Sequence, residues 1–507
     1  MEVLAKEQII NQKQERESIF YNLTRSVCPT CKKSIDAQIL IRNNKVIMKK
    51  RCQEHGWFEA LLSSDFENYR YWERFNKPGT LPLEFQTEVK EGCPSDCGLC
   101  SSHQQHTCLG ILEITQSCNY DCPVCFASSG ISQKHNHLDF ETIKGMVNTL
   151  IRSEGTVELI QISGGEPTIH PQIIEIIKFT RDTDHIQTIM INSNGRRFAK
   201  SVEFCEKAKN AGLNGVYLQF DGFDSSTYKT LRGNSELLGE KLDAIKNLSS
   251  VGIKITLSMT VVKGINDNEI GEIIRFIHKT PGINGLSLQP VFAEGRLEQY
   301  YDPMDHLTLP DILQRIEEQT NNLYRKTDFF PIPCPYPHCS GITFSYQDPE
   351  TGEFTTIKRI IEVEDYLDYF KNSITPDVAG TIKDALEGLF SFSTSAGSRE
   401  LVEDYCNACG IDLNLESIRA QLGEYIDHVK MITIKPFMSA WDVDVKRLMK
   451  CCVHEVLPDN KIIPFCAYNI LYRDKYNERY FNNNKKFEYR NNSEENKGIN
   501  IIPLNVE

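Results

Sequence analysis

Nowhere in its 507 residues does the chain approach the run of about 18 apolar residues that a membrane-spanning helix needs, which excludes an integral membrane protein and leaves at most peripheral membrane contact. Residues 1–20 contain no apolar core of a secretory leader, since MEVLAKEQIINQKQERESIF alternates charged and apolar groups; the expectation is a cytoplasmic protein. A basic excess is missing as well. Against 69 Asp and Glu stand 56 Lys and Arg, and the net charge of -13 speaks against a broad surface for nucleic-acid phosphates. There is no internal repeat of solenoid type. At this length a single core is too small to organise the whole chain, so roughly two to four domains are expected.

Cysteine, by contrast, is abundant at 18 residues. In a reducing compartment, cysteines at short spacings read as metal ligands rather than as a disulfide framework. Residues 1–106 form a Cys-rich module in which Cys28, Cys31 and Cys52, with His55 behind them, have the knuckle and hairpin layout of a zinc ribbon or a rubredoxin-like iron site. Cys93, Cys97 and Cys100, then Cys108, suit a second centre. Residues 107–320 alternate β-branched runs with amphipathic segments, the pattern of repeated βα units around a parallel sheet. Six strands are expected, at 109–114, 157–163, 187–192, 215–220, 254–262 and 285–291, with segments such as 172–181 and 269–278 as helices between them. Such units wind into a (β/α)6 partial TIM barrel or an open doubly wound sheet, and the chemistry below favours the α/β barrel. Residues 321–475 mix polar helices (363–371, 377–390) with Cys334, Cys339, Cys406, Cys409, Cys451, Cys452 and Cys466, and read as a C-terminal domain for one or two auxiliary iron–sulfur clusters. Residues 476–507, rich in Asn, Lys and Glu, read as a flexible polar tail. Cys205 reads as a core filler, and His103 and His106 as exposed loop residues.

The chemistry concentrates in SCNYDCPVCFASSG at 117–130, where Cys118, Cys122 and Cys125 follow the first strand as C-x3-C-x2-C. Four thiolates would close the coordination of a four-iron cubane. Three leave one iron open to chelate the amino and carboxylate groups of a methionine moiety. A structural zinc knuckle is the alternative, but zinc sites usually pair thiols as C-x2-C with a distant second pair. After the second strand comes SGGEPTIHP, in which Gly164 and Gly165 let backbone approach a ligand and Glu166 offers an acceptor. Asn192, Ser193 and Asn194 follow strand three, Asp221 follows strand four, and Gln289 and Arg296 stand at and after strand six. Parallel βα folds gather their sites at these strand ends. An ordinary Asx-turn explains the Asn and Asp residues equally well, and Arg296 suits an anionic substrate or a cofactor carboxylate as well as a surface ion pair.

Together the triad, its aromatic follower Phe126, the GGEP segment and the βα run resemble the radical S-adenosylmethionine (radical SAM) superfamily. That resemblance implies a 4Fe–4S cluster on Cys118, Cys122 and Cys125 that binds SAM, with GGEP at the cofactor's amino group and Asn192 to Asn194 at its ribose or carboxylate. Asp221 is then placed at ribose or substrate, and a low-potential donor of ferredoxin or flavodoxin type supplies electrons. The full layout, with CPTC and CQEHG, CPSDCGLC and HTCL, and the late KCCVHEVLPDNKIIPFCAYN, resembles the tetraether lipid synthase group, whose members join the methyl ends of isoprenoid chains and whose relatives include pterin methyltransferases. It implies two auxiliary four-iron clusters, one rubredoxin-like iron, a 5′-deoxyadenosyl radical that takes hydrogen from an unactivated carbon, and carbon–carbon bond formation between lipid chains. ALEGLFSF at 385–392 becomes the candidate lipid-facing helix.

The alternative is a radical SAM methyltransferase acting on a pterin or another soluble acceptor, where a polar pocket replaces the apolar channel. A peptide-modifying enzyme of SPASM type lacks its C-x2-C-x5-C-x3-C cluster here. A non-catalytic zinc-ribbon scaffold or electron-transfer protein has no use for GGEP and the strand-end polar residues.

Overall fold

The computed structural model describes residues 17–481 apart from 134, 349–350, 361–362 and 365–427. Near the N-terminus, β1 (Ile19–Val27), β2 (Ser34–Arg42), β3 (Lys45–Cys52) and β4 (Gly56–Ser63) form an antiparallel meander. Alternation along the strands turns Ala37, Ile39, Val46 and Met48 toward Tyr69 of the helix Phe66–Glu73. Asp65 caps that helix by accepting from the backbone N–H groups of Glu67 and Asn68.

The six expected strands are all present and parallel, in sequential order: β5 (Leu109–Glu113), β6 (Val157–Ser163), β7 (Ile186–Ser193), β8 (Gly215–Gln219), β9 (Lys254–Val261) and β10 (Ile283–Pro290). Successive side chains on each strand divide by chemistry. Ile160 and Ile162, Ile189 and Ile191, Val216 and Leu218, Leu257 and Met259, and Leu286 and Leu288 pack with helix residues such as Met146, Ile177 and Ile274 in the main apolar core. Their neighbours Gln161, Ser163, Asn192, Tyr217, Gln219, Ser258, Thr260 and Gln289 line a cavity on the other face. Buried parallel sheets are ordinarily apolar on both faces, so a polar inner face marks an interior shaped for a ligand.

The residues after 321 do not stand apart from this core. β11 (Gly341–Gln347), β12 (Phe354–Thr356), β13 (Val429–Ile434), β14 (Val453–Val456) and β15 (Ile462–Pro464) extend it to eleven strands in the order β12-β11-β13-β10-β9-β8-β7-β6-β5-β14-β15. β13 runs parallel to β10 and β14 parallel to β5, which lengthens the parallel array at both ends. The carbonyl of Cys452 accepts from the N–H groups of Cys108 (3.0 Å) and Leu109 (3.1 Å), so the late cysteines sit at the start of β5. Of the helices read at 363–371 and 377–390, only residues 363–364 are described; Cys406, Cys409 and the segment 385–392 lie outside the described residues.

Helical turns continue past residue 476, where the sequence suggests a loose tail, because Tyr476 and Phe481 find apolar cover. Just before them, buried Arg473 holds the carboxylate of Glu113 on β5 through two 2.8 Å hydrogen bonds. Residues 482–507 are outside the described part. Among the described residues no helix is long and apolar enough to cross a membrane. Removing one member of a buried ion pair strands the other charge, at a cost of about 3–5 kcal/mol. Arg473→Met is therefore expected to lower the thermal unfolding midpoint followed by circular dichroism, and the double variant with Glu113→Gln to recover part of the loss.

Candidate active site

A cavity of about 190 Å³ opens over the inner face of the sheet and gathers Cys118, Cys122, Cys125, Gly164, Gly165, Asn192, Ser193, Asn194, Gln289 and Arg296 in its walls. The three cysteines are partly exposed on one loop. That loop is tied down from three sides. The N–H groups of Gly165 and Glu166 donate to the carbonyls of Thr115 and Ser117 at 2.8 and 2.9 Å, which clamps GGEP against the approach to Cys118. A Cβ on Gly165 would stand 2.2 Å from the Ser117 carbonyl oxygen, so only glycine permits this contact. From the far side, Arg296 donates its backbone N–H to Cys125 (3.0 Å), Nε to Cys122 (2.9 Å) and a terminal N–H to Ser129 (2.7 Å), all at carbonyl oxygens. Arg232 donates to the carbonyl of Val124 at 3.0 Å.

Burial pushes the Cys118 thiol up to about 12, and the nearby Glu166, Cys122 and Cys125 push the same way. Burial also raises Cys122, opposed by the Arg232 guanidinium. Three neighbouring thiols opening on one cavity are a donor set that a polycationic iron cluster fits, because the metal stabilises their thiolates.

Several sequence-predicted roles change. Glu166 is fully buried, and its carboxylate already accepts from Thr168 N (3.2 Å), Thr168 Oγ1 (2.5 Å), Ser193 Oγ (2.9 Å) and Asn194 N (2.8 Å). It ties GGEP to the turn after β7. Asp221 is likewise withdrawn: it is buried, takes two bonds from Arg232 at 2.6 and 2.8 Å, and accepts from Thr260 N at 3.1 Å. The cation, not the acid, reaches the cavity wall. Arg296 is spent on the triad loop rather than on a surface partner. His103, expected to be exposed, is buried at hydrogen-bond distance from the Cys451 carbonyl (3.0 Å) and His454 Nε2 (3.2 Å). Cys205 is a buried core residue near the carbonyls of Phe198 and Ser201.

Charged residues without a sequence signal complete the cavity surroundings. Lys241 is buried, donates to the Asn194 carbonyl and to Gln219 Oε1 (2.6 Å), and is lowered to about 8 by desolvation. Glu455 on β14 and Lys435 after β13 line the cavity together with Phe126, Phe292, Phe437 and Phe465. These four rings touch in sequence, with centroid separations of 6.2 Å (Phe126 to Phe292), 5.6 Å (Phe292 to Phe437), 4.6 Å (Phe437 to Phe465) and 5.7 Å (Phe465 to Phe126).

Two further thiol groups stand away from the triad. In the meander, the ligand atoms of Cys28, Cys31, Cys52 and His55 lie within 4.8 Å of one another. His55 Nδ1 is 3.7 Å from Cys28 Sγ and 3.5 Å from Cys52 Sγ. Its imidazole leads the interactions that lower the Cys52 thiol. At the start of β5, Cys108, Cys334 and Cys452 gather their Sγ atoms within 4.8 Å, with His106 Nε2 3.6 Å from Cys108 Sγ. Cys108 and Cys334 are in disulfide contact although their Cα atoms are 7.7 Å apart. Cys451 has Cys466 and Cys339 as electrostatic neighbours, and Cys97 has Cys93, Cys451 and Cys100.

Comparison with known proteins decides the family. The radical SAM superfamily model matches residues 112–277, and that of an HMPTM N-terminal zinc ribbon domain matches residues 20–64. The 7,8-dihydro-6-hydroxymethylpterin dimethyltransferase of Methanocaldococcus jannaschii is 35% identical over 491 residues, 90% of this chain and 95% of that one. The chain belongs to that radical SAM family. It is a radical SAM enzyme that uses a 4Fe–4S cluster and SAM. A probable GTP 3′,8-cyclase of Thermococcus kodakarensis is 29% identical over 236 residues, 44% of this chain and 72% of that protein. The crystal structure of HydG, a FeFe-hydrogenase maturase, overlaps 43% of this chain and 50% of its own with a TM-score of 0.34 and 15% identity.

A Cys3His set suits a single zinc ion better than the all-thiolate iron of rubredoxin. Metal analysis of anaerobically purified protein is expected to find about one zinc per chain. His55→Ala should lose the zinc and leave the iron content unchanged.

Proposed function

We propose that this enzyme methylates a pterin or a closely related soluble heterocycle. The observation that carries the reading is the cavity beside the triad, whose floor over β6 to β10 carries amide, hydroxyl and phenol groups: Gln161, Asn192, Tyr217, Gln219, Ser258, Thr260 and Gln289. Gln289 Nε2 donates to the Tyr217 hydroxyl at 2.8 Å, so this floor is a connected polar surface. An alkyl chain would desolvate these groups without returning a hydrogen bond. The four rings, tilted against one another by 35° to 66°, supply an apolar wall against which one face of a planar heterocycle packs. The 35% identical relative carries a pterin methyltransferase name. The joining of lipid chains, drawn from the tetraether synthase resemblance, has no such support; the soluble-acceptor alternative does.

In this reading Cys118, Cys122 and Cys125 hold the SAM-binding cluster. Once bound, the cluster supplies the electron that cleaves SAM and so produces the radical for hydrogen abstraction. Gly164, Gly165 and the turn Asn192 to Asn194 flank the cofactor. Arg296 and Arg232 keep the triad loop in one geometry from opposite sides, and Lys241 fixes the turn after β7. Phe126, next to Cys125, and the rings it touches exclude water from the space between cofactor and acceptor. Cys108, Cys334 and Cys452 are assigned to an auxiliary centre: a Cα separation of 7.7 Å exceeds the range of about 4.4–6.8 Å usual for a disulfide and fits thiols drawn toward a shared metal. Cys93, Cys97, Cys100, Cys339, Cys451 and Cys466 are assigned to a second. A low-potential ferredoxin or flavodoxin type donor delivers the electrons.

Reconstituted anaerobically and given dithionite, 6-hydroxymethyl-7,8-dihydropterin and excess SAM, one equivalent to be cleaved to methionine and 5′-deoxyadenosine and a second to serve as methyl donor, the protein is expected to form 5′-deoxyadenosine together with a methylated pterin seen by mass spectrometry. Cys122→Ala should abolish both and cost about four irons per chain. Coupled product from a diether lipid, with the pterin unchanged, would return the lipid reading.

A further inference from the structure

One carboxyl group in the active-site cavity lacks a hydrogen-bond partner where it matters. Glu455 is only 1% exposed, yet it lines the same cavity as the three cysteines, and its Oε1 has no partner. The register explains how it arrives there. Glu455 on β14 stands opposite Ile111 on β5, and Ile111 opposite Gln161 on β6, so all three share one rung of the inner face. Among the described residues the cation that acts on it is Arg473, whose two terminal nitrogens are taken by Glu113. Burial and the Glu113 carboxylate both push the Glu455 carboxyl well up from its ordinary value. A buried acid with an open acceptor atom is costly unless something supplies N–H donors.

We infer that Glu455 is a specificity residue that reads the 2-amino-4-oxopyrimidine edge of the acceptor. Two parallel N–H donors would favour the ionised form of this carboxyl, whose two oxygens side by side match them as acids match guanidinium groups. On a pterin those donors are N3–H and the 2-amino group. Packing against the Phe126, Phe292, Phe437 and Phe465 wall leaves this edge free to point at β14, with Gln161 on the same rung of the floor. A site built to satisfy a buried polar group rejects analogues that lack the matching donor, because the group is then left unpaired. The inference rests on the pterin reading above and adds the residue that selects the ring.

The test uses cluster-replete enzyme with SAM bound and measures anaerobic binding of 6-hydroxymethylpterin and of 6-hydroxymethyllumazine, in which an oxo group replaces the 2-amino group. The wild type is expected to prefer the pterin. Glu455→Gln keeps one acceptor and adds an amide donor that meets the new oxo group. It should bind the pterin about ten- to a hundredfold more weakly, bind the lumazine at least as well as the wild type does, and keep its iron content and SAM affinity. Such an inverted preference is not what a merely structural role produces. Pterin binding by the wild type with the same preference retained in Glu455→Gln would overturn the assignment and leave the proposed function standing. A wild type that binds SAM but neither heterocycle would overturn the pterin reading, and this inference with it.

Discussion

The rest of the molecule depends on the parallel pairing of β14 with β5. Only Val453 to Glu455 and Leu109 to Ile111 are in register there, but the contact joins residues more than 340 positions apart. It sets Cys451 and Cys452 against Cys108, carries Glu455 into the cavity, and lets the following turns place Arg473 on Glu113. A buried ion pair adds little net stability, yet it penalises any arrangement that separates its partners. Here it holds the last described helical turns against the strand that leads to the cluster loop.

Around that loop the protein works through carbonyl oxygens more than through side-chain charges. Arg296 and Arg232 bind main-chain acceptors between Cys122 and Ser129, and GGEP binds those just before Cys118. A loop fastened by its backbone keeps its thiols in place while their protonation and metal content change. Glu166 and Asp221 serve the same rigidity at one remove: each is a buried acid whose hydrogen bonds are satisfied within the protein.

The inner face of the sheet decides what kind of acceptor fits. In a parallel sheet covered by helices, polar residues at every second position carry a desolvation cost that only a ligand or a mutual network offsets. The Gln289 to Tyr217 bond and the Lys241 to Gln219 bond are parts of such a network. Among the described residues these polar groups face a wall of four phenylalanine rings, a pairing that suits a heterocycle with polar edges.

The sequence by itself determined the radical SAM core. Its triad and GGEP are local, spacing-dependent motifs, and its six strands announce themselves by β-branched runs at βα intervals. It also placed Cys28, Cys31 and Cys52 in one centre, because a knuckle and hairpin are short-range. What it could not determine are the contacts whose partners lie hundreds of residues apart. Nothing in HEVLP says that Glu455 will face the triad, and Arg473 looks like the edge of a polar tail. His103 looks exposed until His454 and the Cys451 carbonyl arrive on β14 and the turn before it. The physical reason is the same in each case: burial and charge pairing are properties of the assembled sheet, and β13 and β14 join it only after the chain has left the core and returned.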